Sequence, residues 1–437
     1  MKANLSRRFY DYLSSIASNY VLMGLGIVSG MLLARLLQPE ARGEFAIYSY
    51  FQTLIVSMIP FAAAGAFGRI VGKYKRSGRR IVPAGFQIMA AGNLVITLVI
   101  AAITPLLLSS QESVLRGNVI ICCLLSCGTA YNTVMVAWLR NSGKISWVNG
   151  ALVTMSGATI MIYLAAYGLN WHNPLWIFLL LQGVNGLLFL VYAIKLRINL
   201  LRPCSAKCYA ICGKNLWPFC LPSFILAVYG FWGNFLLVRL TDNQAVGYFS
   251  VAFSVGVGIM AFALAFIQLG YVEVANAANR EQVRHIIVSR INALQIIMVV
   301  VMLVAWPLLR PVIGLIYGSA YLPAATVAIL LLPAICLENV VVAIDYMLQA
   351  LKRPHPGMMI RIFMILLVTL AAFPLCHRYG VLGFCLALIV GRTISLVIFL
   401  AFFCKMMDLP LRSFWAFTPT HIRQLVGTLW YFGKSVH

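Results

Sequence analysis

Long apolar stretches alternate with short polar gaps along almost the whole of this chain. A helix that crosses a bilayer needs roughly 20 apolar residues, and twelve of the stretches reach that length. Helices satisfy their own backbone hydrogen bonds inside hydrocarbon, so we predict that all twelve are helical. The predicted spans are residues 12–37, 44–68, 81–108, 114–139, 146–168, 174–194, 216–238, 245–270, 287–309, 323–350, 357–376 and 380–404.

The amino-acid composition supports a membrane protein. Of the 437 residues, 62% are hydrophobic and 10% are charged, whereas soluble domains carry about 25% charged residues. The formal net charge of +23 would also fit a protein that binds nucleic acid. The polar gaps are too short for a nucleic-acid-binding domain, so we expect the basic residues to orient the chain in the membrane instead.

The basic residues are distributed unequally between the two sides of the predicted membrane. Cytoplasmic loops of membrane proteins are enriched in Lys and Arg. With the N-terminus inside, the inner segments carry 26 of these residues and the outer segments carry six. This distribution predicts that both termini are cytoplasmic. The first stretch is too long for a cleaved signal peptide, and another span follows it at once, so we expect it to stay in the membrane.

A sequence repeat relates the two halves of the chain. Residues 33–45 align without gaps to residues 237–249, at an offset of 204. Six spans separate the two segments, so both halves begin on the same side and the repeats are parallel. Two such bundles around a central cleft are a common transporter architecture. The identical pairs are Arg35/Arg239, Leu36/Leu240, Ala41/Ala245, Gly43/Gly247 and Phe45/Phe249.

The predicted fold is therefore an all-α integral membrane protein with twelve transmembrane helices in two parallel six-helix repeats. The repeat and the loop lengths predict four regions. The tail carries aromatic and basic residues, which favour an interfacial or cytoplasmic segment over a thirteenth span. The regions are an N-terminal lobe at 1–195, a cytoplasmic linker at 196–215, a C-terminal lobe at 216–404 and the tail at 405–437.

Ionisable residues inside predicted spans are the first candidates for function, because charge at membrane depth is costly. Glu338 and Asp345 lie seven residues apart in the tenth span, so they share one helix face. Arg392 lies near the middle of the twelfth span, at a depth similar to that of Glu338. Two interpretations stay open. Glu338 and Arg392 form a structural ion pair, or the two carboxylates bind a coupling proton or cation while Arg392 binds an anionic substrate.

Three further arginines are candidates for substrate binding. Arg35 and Arg239 are matched residues at the outer ends of the first and seventh spans, where reaching toward headgroups is the competing role. Arg69 lies at the inner end of the second span and either faces the cleft or sets topology. Arginine suits a diphosphate because its paired donors match phosphate oxygens. Amides in the spans could bind sugar hydroxyls or join helices to one another: Asn19, Asn93, Asn132, Asn149, Asn185 and Asn234.

The sequence favours no cofactor and no enzymatic activity. The eleven cysteines lie mostly in spans, and the spacing of Cys204, Cys208 and Cys212 fits no zinc pattern. We expect reduced structural thiols, with a metal or acylation site as the alternative. No G-x-x-x-x-G-K-[ST] segment is present, so ATP hydrolysis by this chain is not expected. No nucleophile lies beside a general base in a polar segment.

The repeated segment resembles a motif of a known family. Residues 33–46, LARLLQPEARGEFA, are similar to the LAR-LGP-E-xx-G-x-(Y/F)-A turn of the polysaccharide transporter family, with Gln38 in place of Gly. Residues 347–353, MLQALKR, resemble the LQALGR end of its tenth helix. The family includes bacterial O-antigen flippases and belongs to the multidrug/oligosaccharidyl-lipid/polysaccharide exporter superfamily.

The resemblance implies a flippase of the bacterial cytoplasmic (inner) membrane. Its substrate would be an undecaprenyl-diphosphate-linked oligosaccharide of O-antigen or lipopolysaccharide biosynthesis, moved to the outer leaflet with H⁺ or Na⁺ antiport. Implied partners are membrane lipids, the polysaccharide polymerase and other enzymes of the pathway. Two alternatives stay open: an antiporter of small cationic drugs on the same scaffold, and a polymerase or ligase. The short outer segments argue against the enzymes.

Overall fold

A computed structural model describes residues 21–73, 78–108, 113–142, 144–195, 204–277, 279–351 and 355–414. These residues are helical and contain no strand, which confirms the predicted all-α class. Eight stretches of the described chain are long and apolar enough to cross a membrane. Many large apolar side chains are exposed on them, for example Val300, Leu303, Val304 and Leu308. A multi-pass membrane protein would present these side chains to lipid.

Each predicted span corresponds to a helix. The first predicted span begins at residue 12, and its residues 12–20 lie outside the described part of the chain. The fourth helix, α4, is interrupted at Ser126, whose hydroxyl donates to the carbonyl of Cys122 at 2.7 Å. The helices are α1 (Val21–Leu36), α2 (Pro39–Lys73), α3 (Gly78–Leu107), α4 (Ser113–Leu125 and Cys127–Asn141), α5 (Ile145–Gly168), α6 (Pro174–Lys195), α7 (Ala206–Leu240), α8 (Asn243–Asn276), α9 (Arg280–Tyr317), α10 (Leu322–Ala350) and a continuous segment, His355–Met407.

The segment His355–Met407 contains two helices. Its 53 residues would extend about 80 Å as one helix, far more than the roughly 30 Å of bilayer hydrocarbon. The backbone leaves the helical region at Gly380, where φ is 56° and ψ is −135°. Glycine accepts this conformation because it has no Cβ. The break separates α11 (355–379) from α12 (381–407), as the two predicted spans require.

The described chain forms two compact units, residues 1–247 and 248–437. In the first unit, α2 packs against α7 and against the second half of α4, which in turn packs on α6. Its core includes Ile81, Phe86, Trp138 and Phe189. This grouping does not follow the repeat, and the predicted lobe boundaries stay a prediction.

The second unit is arranged around α10. This helix packs against α9 and against the α11–α12 segment. Within its most apolar stretch, 72% of the residues are buried, compared with 17% for α9. Ile287, Ile344, Phe399 and Phe403 form part of the core at one end. A polar side chain on α10 is therefore held among protein groups rather than lipid.

The repeated segments meet in a reciprocal contact within the first unit. A Cβ atom on Gly43 would overlap the backbone carbonyl of Asn243, and a Cβ atom on Gly247 would overlap that of Pro39. Pro39 aligns with Asn243 and Gly43 aligns with Gly247, both at the repeat offset of 204. Each segment thus makes the same contact to the other, as surfaces related by a twofold axis do. Only glycine permits this approach of two backbones.

Candidate functional site

The structure joins two of the predicted site residues on neighbouring helices. Arg392 of α12 places its Nε 3.2 Å from Oε2 of Glu338 on α10. The side chains are 12% and 7% exposed, respectively. A buried arginine and carboxylate in contact compensate one another's charge, while removal of either leaves the other without a counter-charge. Glu338 and Arg392, which the sequence places at a similar depth in the membrane, are thus in direct contact.

The Arg392 guanidinium uses little of its hydrogen-bonding capacity. It has five N–H donors. Within the described residues, neither its Nε nor its Nη1 has a hydrogen-bond partner, although both atoms are buried. The contact with Glu338 is therefore electrostatic rather than an aligned hydrogen bond. Ser395, one helical turn further along α12, is fully buried, and its hydroxyl also has no partner in the described part of the chain.

Asp345 is held by a different arginine. Its Oδ2 accepts hydrogen bonds from Arg361 on α11 and from Gln349 on α10, the latter at 3.1 Å. Its Oδ1 lies so close to Gly357 that a Cβ there would overlap it. Asp345 and Glu338 share α10 as the spacing indicates, but each has its own arginine. Asp345 therefore joins α10 to the first turns of α11.

Sequence reasoning missed two members of this charged region. Arg361 lies near the inner end of the predicted span 357–376 and is one of the 26 basic residues assigned to the inner segments. Glu273 lies three residues beyond the predicted eighth span, which ends at 270. In the structure Glu273 accepts hydrogen bonds from Nε (2.8 Å) and Nη2 of Arg290, and the Arg290 guanidinium lies 5.1 Å from the ring centre of Phe266. Both residues are charged and lie at the edge of an apolar stretch, which the sequence shows. The sequence does not show which residue each of them binds.

The other predicted arginines belong to the first unit. Arg35 is exposed at the end of α1, and Arg239 is exposed at the end of α7. Nη1 of Arg239 donates to the carbonyl of Leu107 at 3.5 Å. Arg69 lies in α2, but its side chain lies outside the described part of the molecule. The roles of all three in substrate binding stay predictions.

A polar cavity lies beside Arg239. Its volume is about 640 Å³, within the range of small-molecule sites. Both repeated segments contribute to its wall, together with the start of α4. Asn118 donates to the hydroxyl of Tyr48 at 3.3 Å behind this wall. Carboxylates outnumber the single arginine in the lining, whose charged and amide members are Glu40, Glu44, Asn118, Arg239, Asp242, Asn243 and Gln244.

Neutral polar groups are buried between helices of the first unit. Oε1 of Gln182 on α6 accepts from the Thr129 hydroxyl at 2.6 Å and from Nε2 of Gln52 at 3.5 Å. Nδ2 of Asn132 donates to the Met155 sulfur at 3.4 Å. These bonds join α2, α4, α5 and α6. Asn93 and Asn185 are also buried, whereas Asn19 lies outside the described residues.

The cysteine trio packs against the core of the first unit. Cys212 is fully buried and its thiol donates to the carbonyl of Ile81 at 3.6 Å, while Cys204 and Cys208 are partly buried beside it. Burial raises the pKa of Cys212, which precedes the seventh predicted span, to about 12. Thiolates are the reactive and metal-binding form of cysteine, so this environment favours a structural thiol.

Comparison with known proteins identifies the fold. The sequence matches no family model and no curated protein. An inward-facing multidrug resistance MATE family transporter of the MOP superfamily matches with a TM-score of 0.73 at 15% identity, over 89% of this chain and 94% of that one. The lipid II flippase MurJ, in an inward closed conformation, matches with a TM-score of 0.74 at 14% identity, over 95% of this chain and 92% of that one.

A third similar structure is a MOP superfamily transporter from Pyrococcus furiosus Vc1, described as having a binding pocket of reverse polarity. Its TM-score is 0.56 at 14% identity, over 90% of this chain and 94% of that one. The predicted layout of helices in two repeats fits this shared fold. The predicted all-α fold of twelve helices is confirmed, and it is similar to the folds of the MATE transporter and of MurJ. The likeness to the polysaccharide transporter family in particular stays a prediction.

Proposed function

We propose that this chain is a flippase that moves an undecaprenyl-diphosphate-linked oligosaccharide from the inner to the outer leaflet by alternating access. Three features support the proposal: the fold shared with MATE and MurJ, the motif in residues 33–46, and the buried charges around α10. The observation that carries it is the Glu338–Arg392 pair. It supplies both a group that can bind an anion and a group that can exchange a proton.

The charged residues take separate roles in this proposal. Arg392 binds a phosphate oxygen of the diphosphate, because arginine matches phosphate geometry. Glu338 binds the coupling ion, H⁺ or Na⁺. Asp345 is the second candidate for that ion, although its bonds to Arg361 and Gln349 must first be released. Arg35, Arg69 and Arg239 provide further basic contacts along a central cleft between lobes at 1–195 and 216–404.

The cellular setting follows from the same proposal. The protein lies in the bacterial cytoplasmic membrane with both termini in the cytoplasm, where the basic inner segments face anionic headgroups. It serves O-antigen or related lipopolysaccharide biosynthesis, and the polymerase and other pathway enzymes are its partners. It performs no covalent chemistry itself, in keeping with neighbours that are transporters.

A drug antiporter is the second candidate function. The polar cavity beside Arg239 favours it, because Glu40, Glu44 and Asp242 on its wall would attract a cationic compound. One of the similar structures is a multidrug resistance transporter. The buried Arg392 argues for an anionic substrate instead.

A complementation experiment separates the two functions. The gene is expressed in a flippase-deficient strain, and lipid-linked oligosaccharide is labelled separately in each leaflet. We expect outer-leaflet label with the native protein and none with Glu338→Gln. Glu281→Gln, an exposed acidic change on α9, is the matched control and should flip normally. Drug resistance without outer-leaflet label would contradict the flippase and support the antiporter.

A further inference from the structure

The polar cavity beside Arg239 is assembled from helix ends of the first unit. It lies where α2 and α4 begin and where α7 passes into α8. All of its lining residues belong to the unit formed by residues 1–247. Under the predicted topology these helix ends lie on the outer side of the membrane. The cavity is therefore on the side to which the proposed flippase delivers its substrate.

Hydrogen bonds hold part of the cavity wall in place. Tyr48 is fully buried behind the wall, and its hydroxyl accepts from Nδ2 of Asn118 at 3.3 Å. The same hydroxyl donates to the carboxylate of Glu44. Oδ1 of Asp242 accepts from the backbone N–H of Ala245 at 2.7 Å, which caps the start of α8. The wall is thus ordered by the protein itself.

One acceptor on the wall is not used by the described protein. Oδ1 of Asn243 is buried and has no hydrogen-bond partner in the described part of the chain. Buried polar atoms are nearly always paired in native proteins, by protein, by water or by a bound molecule. A ligand hydroxyl or amide that donates to this oxygen would complete its hydrogen bonding. The atom therefore favours a ligand that carries hydrogen-bond donors.

The mixture of groups on the wall suits a sugar. Sugar hydroxyls both donate and accept, so a sugar site needs groups of both kinds. The carboxylate of Glu40 accepts, and the amide of Gln244 can do both. Val114 and Leu240 add apolar surface against which the C–H face of a sugar ring can pack. The volume of about 640 Å³ is sufficient for a disaccharide.

Other ligand classes fit this wall less well. Among the described residues, no group of three or more His, Cys, Asp or Glu side chains is placed to hold a metal ion. The described lining contains no aromatic ring, whereas aromatic faces are what typically bind organic cations. Three carboxylates against the one guanidinium of Arg239 would repel an anion. A sugar without acidic groups is the class that remains.

We propose that this outer cavity binds a neutral or amino sugar of the transported oligosaccharide, and that its acidic wall selects against acidic sugars. The inference rests on the proposed function, because it takes the sugar from the lipid-linked substrate. It deepens that function by naming the class of sugar that the flippase accepts on the outer side. No bond is made or broken, since the site only binds.

The first test measures sugar binding to the full chain in nanodiscs. The neutral probes are lactose, maltose and N,N′-diacetylchitobiose, the acidic probe is digalacturonic acid, and binding is followed by saturation-transfer NMR. We expect at least one neutral disaccharide to bind about fivefold more tightly than digalacturonic acid, as a partly exposed charge repulsion gives. Absence of binding by all three neutral probes would overturn the site, and tighter binding of digalacturonic acid would overturn the sugar class.

The location of the site is tested with a matched pair of variants. Asn243→Ala should weaken binding of the neutral disaccharide about threefold to tenfold, the loss of one hydrogen bond. Gln38→Ala is the control, because Gln38 is exposed in the neighbouring turn and is not a lining residue. It should bind like the native protein. Equal affinities in the two variants would remove Asn243 from the site.

The acidic selection is tested by removing charge while keeping the shape of the wall. The double variant Glu40→Gln with Asp242→Asn neutralises two carboxylates, and asparagine can still cap α8. We expect it to bind digalacturonic acid about as tightly as the neutral disaccharide, because the repulsion is reduced. A preference that stays as large as in the native protein would show that the carboxylates do not select the sugar.

A cationic drug is the competing ligand and is titrated in the same nanodiscs. Ethidium binding that Glu40→Gln weakens, without binding of any disaccharide, would assign the cavity to cations and overturn the sugar site. The two proposals fail separately. Disaccharide binding by a chain that gives no outer-leaflet label contradicts the flippase alone, and normal outer-leaflet label without disaccharide binding contradicts the sugar site alone.

Discussion

The two units differ in the kind of polar group that they bury. In the first unit the buried polar side chains are mainly amides and hydroxyls, with Arg42 as the charged exception among the described residues. In the second unit they include two carboxylates, Glu338 and Asp345, each in contact with an arginine. Amides and hydroxyls stay neutral at every physiological pH, whereas carboxylates can gain a proton. Under the proposed function, we therefore expect the coupling group to lie in residues 248–437.

Both units contain glycines that lie against the backbone of another helix. In the first unit these include Gly43 and Gly247, and in the second unit Gly383 of α12 lies against the backbone of Leu375 in α11. Backbone contacts leave no flexible atom to move aside. The units therefore share close backbone packing and differ in the polar groups that they bury.

The largest effect is expected from Arg361→Ala in the second unit. The change leaves Asp345, 5% exposed, without its arginine, and breaking a buried pair costs about 3–5 kcal/mol. The free energy of unfolding is measured by detergent titration in mixed micelles. Arg280→Ala is the control, because the Arg280–Asp408 pair is 62% and 68% exposed and should contribute less than about 1 kcal/mol. Similar losses in the two variants would contradict the distinction between buried and exposed pairs.

A smaller and symmetric effect is expected in the first unit. Gly43→Ala and Gly247→Ala each insert a Cβ into a backbone carbonyl, so each should destabilise the protein by about 1–3 kcal/mol through overpacking. The reciprocal geometry predicts similar losses for the two variants. Gly24→Ala, where no atom lies within 4 Å of the new Cβ, is the control and should not destabilise. Loss in only one of the two variants would show that the contact is not reciprocal in solution.

Helix positions could be predicted from the sequence because apolar stretches mark the residues that lie inside the bilayer. All twelve spans correspond to helices, and the similar depths of Glu338 and Arg392 anticipated their contact. Depth alone does not specify which way a side chain points around its helix or which helix lies beside it. For this reason Arg361 was interpreted as a topology residue, although it binds Asp345. Glu273 was missed because span ends cannot be located to within three residues.

Motifs and packing were predictable to different degrees. The alignment at offset 204 singled out Gly43 and Gly247 as identical residues, but only the structure shows that they pack against the partner segment's backbone. The cavity beside Arg239 had no sequence signal, because its wall combines residues from α2, α4, α7 and α8. Such features depend on the relative placement of helices, which a single sequence does not report.

The smallest change in stability, and the sharpest comparison of the units, comes from neutralising both members of the candidate site. The double variant Glu338→Gln with Arg392→Gln gives the second unit the amide chemistry of the first. Replacing a buried ion pair by neutral groups often costs little, whereas removing one member leaves an uncompensated charge. We expect the double variant to unfold within about 1 kcal/mol of the native protein, and Arg392→Gln alone to lose about 3 kcal/mol or more. Flipping should be absent in both. A double variant that is stable and still flips with unchanged pH dependence would show that the pair only joins α10 to α12. The coupling group would then have to be sought at Asp345.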